Sequence, residues 1–270
     1  MFENLNSYYW KDKDCKLYLG DSLSILKTFP DNLVDMVFTD PPFMISQEIK
    51  ICRQRNPKKY NTKRWKYQGK DIDLDFGIWD KFNSLEDYLI FTENWLKECA
   101  RICREGAHLI IFFDKYKISY SIEIAQKYNL KPRQPLFWLK TNPTPQVRKV
   151  KFMTSLEMML WFTKGTNSRK KATFNYELGQ HSEVFIAPIC QGHERYDFGR
   201  HPTQKPLKVL IPILEYFTNK NDIILDCFAG SGSLGIACLK LNRKCILIEQ
   251  QEKYLKEIAI PRLEREKILI

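Results

Sequence analysis

Apolar runs and helically spaced apolar positions alternate along this chain. Residues 15–20 (Cys-Lys-Leu-Tyr-Leu-Gly) alternate in the manner of a strand and end at Gly20-Asp21-Ser22. Ser22 is placed to cap a short helix whose apolar face is Leu23, Ile25, Leu26 and Phe29, and Pro30-Asp31-Asn32 stops it. Leu33 to Thr39 then reads as a buried strand, so the chain opens with a strand, helix and strand whose two strands run parallel. Ser84 begins a helix, with Asp87 three residues on and Tyr88, Phe91, Trp95, Cys99 and Ile102 along one face. It passes through Gly106 into an apolar strand at 107–113, followed by a helix at about 117–128 and a strand at 135–140. Residues 155–163 suit a strand, although Met158-Met159-Leu160 fits a helix equally. A helix at 207–217, a strand from Asp222 to Asp226, a glycine-rich turn leading into a helix, and a strand from Lys244 to Ile248 complete the pattern. Such alternation predicts a mostly parallel α/β sheet with helices on both faces.

No repeat and no low-complexity linker divides the chain, and 270 residues suit one large α/β domain over 1–270. Two stretches break the periodicity. Residues 50–70 hold nine Lys or Arg and no acid, interleaved with Tyr60, Trp65 and Tyr67. They form the heart of a basic insert at about 44–83. Asp71, Asp73 and Asp75 then reverse the sign. Residues 164–200 are polar, basic at Arg169-Lys170-Lys171 and free of long periodic patterns, which predicts a long loop.

A formal net charge of +11 favours a polyanionic partner, nucleic acid ahead of a membrane surface. Basic residues mixed with aromatics supply charge for phosphates and plates for bases, although a solvated basic loop has the same composition. The eight cysteines (15, 52, 99, 103, 190, 227, 238 and 245) include no C-x-x-C pair and several lie in apolar runs, so reduced core thiols are expected. Met1-Phe2-Glu3-Asn4 starts no signal peptide, and no run approaches the ~18 apolar residues of a membrane span, which places the expected location in the cytoplasm.

Two stretches carry candidate chemistry. The apolar run Val37-Phe38-Thr39 stops at Asp40-Pro41-Pro42-Phe43. An acid leaving the carboxyl end of a buried strand lies where open α/β sheets keep their chemistry. The prolines remove N–H donors and leave carbonyls to accept, while Phe43 offers a flat apolar face. Acceptors beside a plate suit a planar heterocycle bearing an amino group, and the same residues also suit an ordinary strand followed by a Pro-Pro turn.

Near the other end, Asp226-Cys227-Phe228-Ala229-Gly230-Ser231-Gly232-Ser233-Leu234-Gly235 reads as a strand end, a turn that a ligand can approach closely, and a helix start. Gly230, Gly232 and Gly235 satisfy G-x-G-x-x-G, and Glu249 follows Gly230 by nineteen residues, as in a dinucleotide fold. Against nicotinamide, Asp226 repels a pyrophosphate yet welcomes an ammonium or sulfonium group. Only forty residues follow Gly230, fewer than the second half of a dinucleotide fold uses. Acids at the turn and at the end of the next strand suit S-adenosylmethionine, with Glu249 on the ribose hydroxyls. His108, His181 and His193 attract no role.

Asp40-Pro41-Pro42-Phe43, the segment Asp226 to Gly232 and the segment His201-Pro202-Thr203-Gln204-Lys205-Pro206 resemble, in this order, the D-P-P-Y/F, D-x-F-x-G-x-G and H-P-T-x-K-P motifs of the beta group of DNA amino-methyltransferases. These are circularly permuted enzymes of Rossmann-like fold that use S-adenosylmethionine, and the likeness covers nearly the whole chain. The resemblance implies Asp40, Pro41, Pro42 and Phe43 as catalytic residues, without metal or covalent nucleophile. It implies a cofactor site of Asp21, Thr203, Lys205, Asp226, Phe228, Ala229, Gly230, Ser231, Gly232 and Glu249. DNA contacts are expected from Arg53, Arg55, Lys58, Lys59, Lys63, Arg64, Trp65 and Lys66, and from Arg169, Lys170 and Lys171 in a target-recognition region at 164–200. Double-stranded DNA is the implied substrate, and the family admits a homodimer and a companion restriction endonuclease as partners. In related enzymes an Asp heading the catalytic motif usually accompanies adenine and a Ser cytosine, so Asp40 favours N6-adenine over N4-cytosine. An RNA or protein-amine methyltransferase stays open, as does a nucleic-acid-binding protein without catalysis, against which the intact Asp40 and Asp226 stand.

Overall fold

The computed structural model describes residues 2–44, 50–51, 72–73, 80–145, 150, 152–165, 171–199 and 201–269. Its strands are β1 (Trp10–Lys11), β2 (Cys15–Leu19), β3 (Val34–Thr39), β4 (Lys50–Ile51), β5 (Ile72–Asp73), β6 (Cys103–Phe113), β7 (Leu130–Pro132), β8 (Leu136–Lys140), β9 (Leu156–Lys164), β10 (Val184–Ala187), β11 (Ile223–Asp226) and β12 (Lys244–Glu249). The helices are α1 (Ser22–Leu26), α2 (Leu85–Ile102), α3 (Ile118–Lys127), α4 (Gly192–Tyr196), α5 (Leu207–Phe217) and α6 (Ser233–Lys240). After them, α7 (Glu252–Tyr254) continues through a π turn (Leu255–Ala259) into α8 (Ile260–Leu269). The chain divides into two units, Met1–Pro41 with Leu89–Ile270, and Pro42–Tyr88. Among the described residues no helix is long and apolar enough to cross a membrane.

In the larger unit one ten-stranded sheet has the order β1-β2-β12-β11-β3-β6-β9-β8-β10, with β7 bonded to β9. Strands β2, β12, β11, β3 and β6 run parallel, β9 opposes β6 and β8, and β10 runs parallel to β8. From β3 the chain proceeds towards β6 and from its neighbour β11 towards β12, so the segments that follow these two strands part in opposite directions. Such a switch point opens a crevice at the carboxyl ends of the strands. In the smaller unit β4 and β5 pair antiparallel.

Several expectations need correction. Asp21, not Ser22, caps α1: its Oδ1 accepts from the Ser24 amide at 2.8 Å, while the Ser22 hydroxyl donates to the Cys227 carbonyl. The alternation in β2 does not mark a solvated face, because Lys16 is buried and donates to the carbonyls of Phe2, Leu5 and Glu3 at 2.7, 2.8 and 3.3 Å. Three carbonyls offset the cost of burying that ammonium. β6 starts at Cys103 directly after α2, and Gly106 lies within it at φ +84°, where its pairing with β3 shifts register. The stretch expected at 155–163 is the strand Leu156–Lys164, because its backbone bridges β6 and β8.

The described residues within 164–200 are not one loop. β10 adds an edge strand, α4 follows, and the Asn175 side-chain amide donates to the Glu215 and Thr218 carbonyls at 2.7 and 3.0 Å, closing the end of α5. The seven described cysteines are buried and unbridged, as expected, and Cys52 lies outside the described residues.

The third glycine of the turn has a packing role. A Cβ on Gly235 would stand 2.7 Å from Leu247 Cδ1 and 2.9 Å from Leu263 Cδ2. Gly235→Ala is expected to destabilise the protein by ~1–3 kcal/mol through overpacking between α6, β12 and α8. A thermal melt lowered by about 2–10 °C is the expected reading, and an unchanged melt would show that the two leucines yield freely.

Candidate active site

The sheet delivers its acids at one end. Asp40 follows β3, Asp226 ends β11, Glu249 ends β12 and Gly20-Asp21 follow β2, all at carboxyl ends of parallel strands. Because β9 is antiparallel, its start brings Glu157 to the same end, beside Lys140 at the end of β8.

Asp226 is 7% exposed, and its Oδ1 accepts from Thr39 Oγ1 at 2.7 Å and from the Phe228 amide at 3.1 Å. Burial pushes its pKa up to about 7; those two hydrogen bonds pull it back, and Asp40 and Glu249 push it further. Glu249 accepts from the Gly230 amide at 2.8 Å and the Gln251 amide at 2.7 Å, and burial outweighs these bonds and raises its pKa. Neither acid forms an ion pair among the described residues, and two buried acids left without a cation suit a cationic ligand.

The glycine turn packs against protein on several sides. A Cβ on Gly230 (φ +52°) would stand 2.9 Å from the His201 ring, and one on Gly232 (φ +71°) 3.1 Å from Ala259 Cβ. Here glycine is favoured by positive backbone φ and by close packing within the protein. His201 is buried, meets Tyr254 edge-on at 4.5 Å, and is held neutral with a pKa lowered to about 3 by burial and then by Lys205, Arg262 and Arg195. Its Nδ1 is a buried polar atom without a partner. Arg262 of α8 donates to the Ser231 carbonyl at 2.7 Å and Ser233 Oγ at 3.0 Å, bracing the turn from below. Phe228 packs edge-on against Trp95 at 5.7 Å, and Ala229 is buried.

The segment 201–206 brings Lys205 to Asp40 and not to the glycine turn. Lys205 Nζ donates to Asp40 Oδ2, lies 3.6 Å from Glu157 Oε2 and stands 4.6 Å over the Phe112 ring. Glu157 Oε1 is in turn 2.6 Å from Lys140 Nζ. Burial works to lower the Lys205 pKa, but Asp40 and Glu157 outweigh it and hold the ammonium above its ordinary value. Burial likewise works to raise the pKa of Glu157, and Lys205 and Lys140 hold it below. Thr203 is half-buried, and its carbonyl accepts from Lys205 at 3.4 Å.

In the smaller unit Asp80 accepts from the amides of Phe43 and Met44 at 2.7 and 2.8 Å, and the Tyr88 hydroxyl donates to the Pro42 carbonyl at 3.2 Å. The Pro42 carbonyl is therefore engaged, contrary to the expectation that the carbonyls beside the prolines await a ligand. Asp21 is exposed and spent on capping α1. Lys171 lies beside Gly106 near the start of β6, at the opposite end of the sheet from Asp40. Arg53, Arg55, Lys58, Lys59, Lys63, Arg64, Trp65, Lys66, Arg169 and Lys170 lie outside the described residues. Glu157, Lys140, Asp80, His201 and Arg262 were missed as working residues, because each earns its place through a partner distant in sequence.

A family model described as DNA methylase matches residues 34–260. The chain is 32% identical over 277 aligned positions to the type II methyltransferase M.HinfI of Haemophilus influenzae, which spans 97% of this chain and 70% of that protein. It is 30% identical over 265 positions to the type II methyltransferase M2.LlaDCHI of Lactococcus lactis subsp. cremoris, spanning 95% and 92%. Among solved structures, an M1.HpyAVI–SAM complex superposes with a TM-score of 0.68 at 24% identity, covering 92% of this chain and 98% of that one. The cytosine-N4-specific PvuII DNA methyltransferase does so with 0.73 at 16% identity, covering 98% and 94%. At these identities the two structures establish the fold.

Proposed function

The chain belongs to the DNA methylase family, and from that premise we propose that it transfers a methyl group from S-adenosylmethionine to the N6 amine of an adenine turned out of double-stranded DNA. The observation that carries this reading is the pairing of two acids at the switch point: Asp40 follows β3 directly, Asp226 ends the neighbouring β11, and Thr39 binds Asp226 across the seam.

The residues present fit the cofactor. Buried Asp226 and Glu249 lack a cation among the described residues, and His201 Nδ1 lacks a partner beside Gly230. Asp226, Glu249 and the turn Phe228-Ala229-Gly230-Ser231-Gly232 would hold it, with Thr203 at the margin. When bound, S-adenosylmethionine supplies a methyl on a positively charged sulfur, which an amine lone pair takes as the carbon–sulfur pair stays on sulfur and the amine gives up one of its two hydrogens as a proton to solvent. A stacked base cannot reach such a buried site, so the adenine leaves the helix. Asp40 and the Pro41 carbonyl accept its amino hydrogens, which draws the nitrogen lone pair out of conjugation, and Phe43, three residues on in the motif, supplies the plate. Asp40 at the head of the motif favours adenine. Tyr116 and Phe152, 79% and 97% exposed, stand on loops at the same end of the sheet, where unstacked bases would meet them.

Methylated duplex DNA digested to nucleosides and separated by mass spectrometry tests the reading. N6-methyladenine is expected; N4-methylcytosine as the only product, or methylation of RNA alone, would overturn it. The basic stretch is assigned to phosphate contacts. Replacing Lys58, Lys59, Lys63 and Arg64 by Ala is expected to weaken binding of every duplex alike and to reduce the salt slope by about 3–4, since phosphates carry charge without sequence. Unchanged binding at low salt would assign these residues to a solvated loop.

A further inference from the structure

We propose that Lys205 is a positioning residue for the base-binding carboxylate: it holds Asp40 ionised and aimed through an ion pair that Glu157 and Lys140 complete. The inference rests on the reading of Asp40 as acceptor of the target amine. It moves Lys205 from the cofactor, where the H-P-T-x-K-P resemblance places it, to the base.

Four charged side chains form one neutral set. Lys205 reaches Asp40 Oδ2 and Glu157, and Lys140 reaches the other oxygen of Glu157. The Lys205 side chain is 10% exposed, Lys140 14%, Asp40 20% and Glu157 25%, so the ions are shielded and each must be balanced locally. The turn bearing Lys205 is fixed independently of Asp40. Glu194 of α4 accepts from the Leu207 amide at 2.9 Å through its side chain and from Gln204 Nε2 at 2.6 Å through its carbonyl, and Cys190 Sγ meets the Gln204 carbonyl at 3.4 Å. The ammonium thus arrives on a braced turn, with the Phe112 ring beneath it.

Like charges explain what this ammonium does. Asp226 on β11, Glu249 on β12 and Glu157 on β9 share this end of the sheet with Asp40, and Asp40 and Asp226 raise each other's cost of ionisation. Without a cation, crowded carboxylates keep a proton. A protonated Asp40 presents an O–H in place of one acceptor, and the amine loses its partner. His201 adds no charge, being neutral, while Arg262 and Arg195 act on His201. Among the described residues, Lys205 and Lys140 are the cations that pair with Asp40 and Glu157 in this group of acids.

The test is a pH profile of single-turnover methyl transfer to duplex DNA, with calorimetric titration of S-adenosylmethionine and a thermal melt alongside. With S-adenosylmethionine saturating at every pH, the wild type is expected to hold a level rate between about pH 6 and pH 8.5. Lys205→Met is expected to lose about tenfold or more at the acid end and to recover much of it at the alkaline end, with cofactor affinity within about threefold of wild type. Lys205→Arg is expected to restore the level profile. Lys205→Gln, which keeps a donor without the charge, replaces Lys205→Met if the latter melts below the assay temperature, with the same expectation. A loss equal at every pH would overturn the proposal in favour of simple packing, and a level profile with weakened cofactor binding would return Lys205 to the cofactor. Asp40→Asn separates the two readings: near-normal turnover there overturns the acceptor role of Asp40, whereas an inactive Asp40→Asn with a level Lys205→Met profile overturns only the role of Lys205.

Discussion

Asp226→Asn is expected to yield a protein that melts about 5 °C higher than the wild type near pH 8 and binds S-adenosylmethionine at least ~10-fold more weakly. Both effects come from one buried charge. Asp226 titrates at about 7 against an ordinary 3.8, because burial disfavours its anion more than Thr39 and the Phe228 amide favour it. Between those two values the folded chain keeps a proton that the unfolded chain has released, so stability falls as pH rises through that window. Above it the ionised group costs on the order of 4 kcal/mol. Asn removes that cost and keeps the oxygen that Thr39 and the Phe228 amide need. The same anion attracts the ligand's positive charge, so wild-type affinity is expected to weaken by up to about tenfold per pH unit below about 7, and that of the variant to stay level. Scanning calorimetry and titration calorimetry near pH 6 and pH 8 read both quantities. A lower melt with unchanged affinity would take Asp226 out of the cofactor site.

Asp40→Asn is expected to leave cofactor binding within about twofold of wild type and to slow single-turnover methyl transfer by about 10²–10³-fold, or ~2.7–4 kcal/mol in barrier. The amide preserves the shape of the carboxylate but offers a weaker acceptor and a donor that meets the amine's own hydrogens. Lys205 keeps Glu157 at 3.6 Å, so the fold loses one ion pair without stranding the ammonium. Transfer of a labelled methyl group to duplex DNA measures the rate. A variant within about tenfold of wild type would remove Asp40 from the chemistry.

What the sequence by itself determined about this protein is local. The strand that delivers Asp40, the strand and turn from Asp226 to Gly232, and helices α2, α3 and α5 are legible because each is written in consecutive residues with period, caps and breakers. The parallel α/β class follows from their alternation, and the three motifs in their order carry the family. Only the tertiary structure decided which charges meet. Lys205 stands 165 positions from Asp40 and Glu157 lies 48 before Lys205, and no periodicity links them. They are joined because β9 runs antiparallel, which turns its beginning to the end of the sheet where β3 finishes. The burial of Lys16 was decided the same way, by an N-terminal segment that folds its carbonyls over β2, and so was β10, whose four residues are too few to show a pattern and become a strand only against β8. Motifs record what neighbouring residues do to the backbone and to a ligand. Ion pairs, buried acids and edge strands depend on which distant segments the sheet order places side by side, and that order is settled by packing the whole chain at once.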